Sequence, residues 1–215
     1  MVLFGASYFF SHVTSWPSPN DPLSLEESPR LELSFLRDLP LTQAAAEFAR
    51  ERHAGQRRDG DRASFVLHPL EVASLLARSG YPDYVIAAAV LHDVLEDTDA
   101  ERADLASRFG PEVCELVALV SDDPAIPDEE ERKDEVRERV RRAGGYALVV
   151  YAADKISKVR ELRALVANGL DPREREIKFQ RHWKSLLMLE QAIPNDRLVE
   201  LLRFELEALR DLPPT

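Results

Sequence analysis

From about residue 41 to the end of the chain, apolar residues recur at helical spacing, and there is no strand-like alternation of useful length. Pro69 and Pro82 fall in the first turns of predicted helices, where the missing N–H costs nothing, and Gly144-Gly145 breaks the pattern. Thr42 is placed to cap the first helix. The pattern predicts an all-α fold, a single bundle of about eight or nine helices.

The predicted helices differ in character along the chain. Residues 128–142 are almost entirely charged, which indicates a solvated helix with little functional meaning. Residues 1–40 carry clustered prolines and no lasting period, so we expect an N-terminal extension that is partly irregular, followed by one domain at 41–215. The predicted helices lie at about 42–54, 68–79, 82–97, 100–108, 111–121, 128–142, 146–166, 172–192 and 196–211.

Charge and composition exclude several classes of partner. The formal net charge is −11, which repels nucleic-acid backbones, although a metal and local cations can still make a positive pocket for a small phosphorylated nucleotide. No apolar stretch reaches the ~20 residues that span a membrane. The single cysteine, Cys114, lies in an apolar pattern and reads as a core residue, and a cytoplasmic location is the simplest expectation. The sequence does not indicate an oligomeric state.

The most informative motif is the acidic run from His92 to Asp97, which follows the apolar stretch Ala87–Leu91. Residues four apart share a helix face, so we expect His92 near Glu96 and Asp93 near Asp97. Imidazole and carboxylate are ligands for Zn²⁺, Mn²⁺ or Fe²⁺, and a second carboxylate pair can orient or deprotonate a water. The alternative is a helix C-terminus entering solvent, but acids there oppose the helix dipole.

Two distant residues complete a candidate ligand set. Asp154 interrupts the apolar run Ala147–Ala153, where a carboxylate is costly unless it is paired or metal-bound. The alternative is a surface aspartate paired with Lys155 or Lys158. His68 opens a helix, and a lone histidine there is more often a structural residue than a ligand. With His92 and Asp93, these residues would supply two imidazoles and two carboxylates.

At these positions the sequence resembles the HD-domain superfamily, and within it the hydrolase domain of RelA/SpoT-type alarmone enzymes. The likeness runs from about residue 42 to 200, so it is closest to the small stand-alone alarmone hydrolases. The stretches that carry it are HAGQRR (53–58), LHPLEVA (67–73), AAAVLHDVLEDTD (87–99), FGPEVCELVALVSDD (109–123) and YAADKISKVREL (151–162).

The resemblance implies roles for individual residues. One Mn²⁺, or another divalent metal, would be bound by four residues, the following Glu-Asp pair would be catalytic, and an arginine of the loop would bind substrate. The family's nucleotide-contacting asparagine is replaced by Lys158, and the loop before the metal histidine is altered. By position the residues are His68, His92, Asp93 and Asp154 for the metal, Glu96 and Asp97 for catalysis, and Arg57 or Arg58 for substrate. We expect Lys155 and Lys158 to help offset the charge of the substrate's phosphates.

The function implied is Mn²⁺-dependent removal of the 3′-pyrophosphate from guanosine (p)ppGpp. Two alternatives remain open: an HD-domain hydrolase of another phosphorylated nucleotide, favoured by Lys158, and a nucleotide-binding module without turnover. His53 is expected to support the first helix or its loop, Phe179 and Trp183 to be core or pocket wall, and His182 to lie on the surface.

Overall fold

The structure, a computed structural model, describes residues 33–212. Most of the expected extension at 1–40 lies outside this part; the described portion of it holds a 3-10 helix at Leu33–Leu36. The described residues carry no strand, only an isolated bridge between Arg57 and Ser64. The α-helices are α1 (Pro40–Arg52), α2 (Leu67–Arg78), α3 (Asp83–Leu91), α4 (Val94–Asp97), α5 (Arg102–Phe109), α6 (Pro111–Val120), α7 (Glu129–Ala143), α8 (Gly145–Ala167), α9 (Pro172–Ala192) and α10 (Arg197–Arg210).

The all-α prediction is confirmed, and α3 with α4, counted as one interrupted helix, brings the described residues to nine helices. The interruption falls at His92-Asp93, inside the helix predicted to continue to Asp97. There the His92 ring donates from Nδ1 to the Ala89 carbonyl at 2.8 Å. The Ser121 hydroxyl lies between two carbonyls, that of Val117 at 2.8 Å and that of His92 at 3.2 Å. These side chains take the place of backbone hydrogen-bond partners, so the helix is interrupted at this point and the side chains of His92 and Asp93 face the same site.

The predicted capping role of Thr42 is wrong. Helix α1 begins two residues earlier, at Pro40, because proline fits the first turn of a helix. The cap comes instead from Asp83, whose carboxylate accepts the backbone N–H groups of Leu41 and Thr42, each at 2.9 Å. The Thr42 hydroxyl also donates to Asp83 Oδ1 at 2.6 Å, which ties α1 to the start of α3.

Helices α3 and α8 form the centre of the bundle. Helix α3 is buried along its whole apolar run and packs against α1, α2, α6 and α8. Helix α8 packs against α2, α3, α6, α7, α9 and α10. Any polar side chain on the facing surfaces of these two helices is therefore withdrawn from water and needs a partner. No helix among residues 33–212 combines the length and apolar character that crossing a bilayer demands.

Candidate metal centre

Four candidate ligands meet where three segments converge. His68 lies in the first turn of α2, His92 and Asp93 lie at the interruption between α3 and α4, and Asp154 lies midway along α8. All four are buried, with exposed fractions of 1%, 4%, 6% and 7% in that order. The alternative of a surface aspartate at 154 is excluded, although Asp154 does pair with Lys155.

The ligand atoms of His68, His92 and Asp154 all lie within 4.8 Å of one another, which is close enough to share one cation, and Asp93 approaches each imidazole with a different oxygen. The two Nε2 atoms of His68 and His92 are 3.2 Å apart, and both lie near the two carboxylates. For a metal with ligands at about 2.1 Å, neighbouring ligand atoms are separated by about 3.0 to 3.4 Å in octahedral or tetrahedral geometry. The imidazole–carboxylate distances are His68 Nε2–Asp93 Oδ2 3.4 Å, His68 Nε2–Asp154 Oδ1 3.3 Å, His92 Nε2–Asp93 Oδ1 3.1 Å and His92 Nε2–Asp154 Oδ1 3.4 Å.

The hydrogen bonds around the site also fit a metal. Both imidazoles use Nδ1 for protein partners, the Ala89 carbonyl for His92 and the Ser157 hydroxyl for His68, so both Nε2 atoms face the centre. Asp93 Oδ2 and Asp154 Oδ1 are buried and have no hydrogen-bond partner. Two unpaired carboxylate oxygens facing two imidazole nitrogens form a donor set that a divalent cation satisfies.

The pKa values of the candidate ligands also favour a cation at this site. Burial alone would lower the pKa of His92, but the carboxylates of Asp93 and Asp154 raise it to about 10. Burial would raise the pKa of both carboxyl groups, but neighbouring cations hold it well below the usual range: His92 and Lys158 for Asp93, and Lys155 for Asp154. In the metal-free protein, a proton on His92 thus takes the place of a cation.

Metal binding should therefore release a proton. At pH 7 the metal-free site holds a protonated His92, whose pKa is about 10, and a metal must displace that proton. We expect the affinity for Mn²⁺ to rise by up to about tenfold per pH unit between neutral pH and that pKa. Titration calorimetry in two buffers of different ionisation enthalpy measures the proton directly. Binding heats that are independent of the buffer would contradict the prediction.

The predicted catalytic pair stands at the solvent side of this centre. Glu96 Oε1 accepts the backbone N–H of Asp122 at 2.7 Å, and Asp122 is itself held by Lys133 Nζ at 2.6 Å. Both acids are exposed on one side and partly buried on the other. Partial burial and repulsion from Asp93 and Asp122 raise the pKa of Glu96 to about 7. Partial burial and repulsion from Asp93 also raise the pKa of Asp97. Glu96 can thus exchange a proton near neutral pH.

The two predicted lysines occupy different places. Lys155 Nζ is hydrogen-bonded to Asp154 Oδ2 at 2.6 Å and lies 4.4 Å from the centroid of the Tyr151 ring. Lys158 Nζ is 3.9 Å from Asp93 Oδ2, too far for a hydrogen bond. Lys155 is therefore committed to a candidate metal ligand, whereas Lys158 retains donors for a bound anion.

Both lysines line a cavity of about 250 Å³ beside the metal centre. Its wall carries six Lys or Arg side chains and three carboxylates, so it is locally cationic in an acidic protein. The predicted surface position of His182 is wrong, since that residue is half-buried on this wall. Helix α7 also contributes residues to the wall, which the charged pattern of 128–142 did not suggest. The charged residues of the wall are Lys133, Arg137, Lys155, Lys158, Lys178, Arg181, Asp59, Glu129 and Glu161.

The loop arginines are separated by the structure. Arg57 is exposed, while Arg58 is mostly covered and its Nε lies 3.5 Å from Glu161 Oε1 on the cavity wall. Of the two, Arg58 is the candidate near the cavity. His53 is buried and its Nδ1 contacts Gln56 Oε1 at 2.7 Å, in keeping with the supporting role expected for it.

Sequence reasoning missed two residues behind the metal centre, Ser157 and Glu71. Each lies three residues after a candidate ligand on the same helix, Asp154 on α8 and His68 on α2. Residues at this spacing share a helix face, which is the signal that could have found them.

A family comparison accounts for this arrangement. A sequence model described as the HD domain matches residues 45–181. The chain belongs to the HD-domain family. The fold and the positions of the resembling motifs thus agree with the family expected from the sequence.

Several characterised relatives of the HD-domain chain carry one description, guanosine-3′,5′-bis(diphosphate) 3′-pyrophosphohydrolase MESH1. The Xenopus tropicalis protein is 34% identical over 151 residues, covering 69% of this chain and 83% of the relative. The Homo sapiens protein is 32% identical over 162 residues, covering 74% and 89%. A solved structure described as a metazoan ortholog of SpoT that hydrolyzes ppGpp matches with a TM-score of 0.71 and 30% identity, covering 80% of this chain and 97% of that one.

Proposed function

We propose that this HD-domain protein is a metal-dependent phosphohydrolase that removes the 3′-pyrophosphate from guanosine 3′,5′-bis(diphosphate) and its 5′-triphosphate analogue. The observation that carries the proposal is the buried set of two imidazoles and two partner-free carboxylate oxygens beside a cationic cavity. The names of the relatives support this substrate, because the match to this chain covers 83% and 89% of the length of the two relatives described above.

The metal we propose is a single Mn²⁺, held by His68, His92, Asp93 and Asp154. Two nitrogen and two oxygen donors suit Mn²⁺, Fe²⁺ and Zn²⁺, and the family resemblance favours manganese among them. When bound, such an ion lowers the pKa of a coordinated water and polarises a phosphoryl oxygen. The buried position of the four side chains fixes them in place before substrate arrives.

The remaining residues would transfer protons, orient water or offset the charge of the phosphates. Glu96, fixed by the Asp122 N–H, would take the proton of the attacking water at its free carboxylate oxygen, and Asp97 would orient that water. Lys158 and Arg58 would offset the negative charge of the phosphates in the cavity. Lys155 would hold Asp154 in position through their hydrogen bond.

A nucleotide panel tests the proposal. Purified protein with Mn²⁺ is incubated with ppGpp, pppGpp, adenine analogues and NADPH, and released pyrophosphate and phosphate are measured separately. We expect pyrophosphate from the 3′-diphosphates of guanosine. No release from any nucleotide, with Mn²⁺ and ppGpp both bound, would instead support a binding module without turnover.

A second candidate substrate class is another phosphorylated nucleotide, because Lys158 stands where the family resemblance places a nucleotide-contacting asparagine. Its amine lies 3.9 Å from Asp93 Oδ2, where it would meet a phosphate group and not a base. Faster hydrolysis of a non-guanine nucleotide in the panel would support this class over the first.

Lys158→Asn provides a direct test of this residue. Losing one charge-assisted contact to phosphate costs about 1.5–3 kcal/mol, so we expect kcat/KM to fall about 10- to 100-fold for every phosphorylated nucleotide alike. Steady-state kinetics on the panel measure this, with the more exposed Lys184→Asn as the matched control. A loss confined to guanine nucleotides would show that Lys158 contacts the base instead.

A further inference from the structure

Behind the metal centre, a relay of hydrogen bonds runs from His68 into the neighbouring helices. His68 Nδ1 is 2.8 Å from Ser157 Oγ, and Ser157 Oγ is 2.7 Å from Glu71 Oε2. An ionised carboxylate can only accept, so the single hydroxyl proton of Ser157 goes to Glu71. The serine oxygen must then accept from His68, which places a proton on Nδ1, so the neutral imidazole has its Nε2 lone pair toward the centre.

The far end of the relay is anchored by ion pairs. Glu71 Oε1 accepts from Arg160 Nη1 at 2.8 Å, and Arg160 Nε donates to Glu205 Oε1 at 2.7 Å. Glu205 is buried on α10 and also accepts from Arg163 Nη1 at 2.8 Å. Because both carboxylates are held by guanidinium groups, Glu71 stays ionised and its position is fixed from α8 and α10.

We propose that Ser157 and Glu71 are positioning residues that set the tautomer and orientation of His68 for metal binding. This inference rests on the proposed metal-dependent function. The two imidazoles are secured differently, since His92 donates to a backbone carbonyl of its own helix, at Ala89, and needs no side-chain partner. His68 lies at the start of α2, and its Nδ1 instead reaches a side chain of α8.

Ser157→Ala tests the proposal with Mn²⁺ alone as the probe. The variant removes the acceptor for His68 Nδ1–H and frees the ring to turn. Loss of such an outer partner of a metal-binding histidine typically costs about 10- to 100-fold in metal affinity, and we expect a Kd for Mn²⁺ higher by that factor in calorimetric titration. Ser157→Thr keeps the hydroxyl and should restore an affinity close to that of the unchanged protein.

A matched control separates positioning from loss of stability. Thr42 is a fully buried residue whose hydroxyl bonds Asp83 at the α1–α3 contact, away from the metal centre. Thr42→Val removes that hydroxyl and should lower the melting temperature of the metal-free protein comparably to Ser157→Ala. Its Kd for Mn²⁺ should stay at the value of the unchanged protein.

A double-mutant cycle tests whether Glu71 acts through Ser157. Glu71→Gln removes the charge that orients the hydroxyl, so it should weaken Mn²⁺ binding by itself. Combined with Ser157→Ala it should add little, because the relay is already broken. Full additivity of the two losses would mean that Glu71 acts by another route and would overturn its assignment.

The outcomes for the inference and for the proposed function are distinct. If the unchanged protein binds no Mn²⁺, Zn²⁺ or Fe²⁺, the metal-dependent function fails and the relay with it. If the unchanged protein binds Mn²⁺ and Ser157→Ala binds it equally well, the relay alone is overturned. The positioning role is supported if Ser157→Ala has a higher Kd for Mn²⁺, while Ser157→Thr and Thr42→Val keep the Kd of the unchanged protein.

Discussion

Asp93→Ala should abolish both Mn²⁺ binding at micromolar metal and pyrophosphate release. Asp93 contacts both imidazoles, Oδ1 toward His92 at 3.1 Å and Oδ2 toward His68 at 3.4 Å, so its removal takes away the carboxylate between them. A catalytic metal supplies several kcal/mol of charge stabilisation in the transition state, and each 1.36 kcal/mol is tenfold in rate. We therefore expect kcat/KM to fall about a thousandfold or more.

Two companion variants make the Asp93 experiment decisive. Asp93→Asn keeps the volume of the side chain but donates in place of one oxygen, so it should also lose metal while circular dichroism and melting confirm a folded protein. Asp99→Ala removes an exposed aspartate just beyond α4 that pairs with Arg52 and should leave activity unchanged. Turnover of Asp93→Ala close to that of the unchanged protein would rule out this metal centre.

The residues that the sequence identified are those whose chemistry is local in the chain. His92 and Asp93 follow an apolar run that has to be buried, and Asp154 interrupts a second one, so each is visible as a polar residue in a pattern that excludes it. Most helix bounds followed for the same reason, because Pro and Gly mark them, but the start of α1 did not. The interruption at His92-Asp93 was not visible, since one of its neighbours is Ser121, which only the packing of α6 brings to within 3.2 Å of the His92 carbonyl.

Contacts between distant segments could not be found in this way, even where spacing places a residue on the same helix face as a candidate ligand. Ser157 and Glu71 are 86 positions apart and meet only because α2 and α8 pack together. Lys133 and Arg137 lie in a helix whose charged sequence is typical of a solvated surface, yet one face of it turns to the cavity. A charged side chain gives no local signal of which neighbour it will face, so periodicity predicts the helix and not its partner.

The second large effect is expected for Glu96→Gln. The amide keeps the shape of the side chain and can still accept the N–H of Asp122, but it cannot take a proton from water. Loss of a general base typically costs about 10² to 10⁴ in rate, and we expect kcat to fall within that range. The Kd for Mn²⁺ should stay near that of the unchanged protein, because Glu96 is not among the proposed ligands.

The pH profile distinguishes a proton-transfer role from a structural one. The pKa of Glu96 is raised to about 7, through partial burial and repulsion from Asp93 and Asp122, and a bound cation beside Asp93 opposes this repulsion and lowers it. The base form exists above that pKa, so at saturating Mn²⁺ the kcat of the unchanged protein should fall about tenfold per unit as the pH drops below it. Glu96→Gln should lose this acid limb, whereas Glu47→Gln, at an exposed position of helix α1, should retain it. An unchanged acid limb in Glu96→Gln would move the role of base to Asp97, the other exposed acid at the mouth of the site.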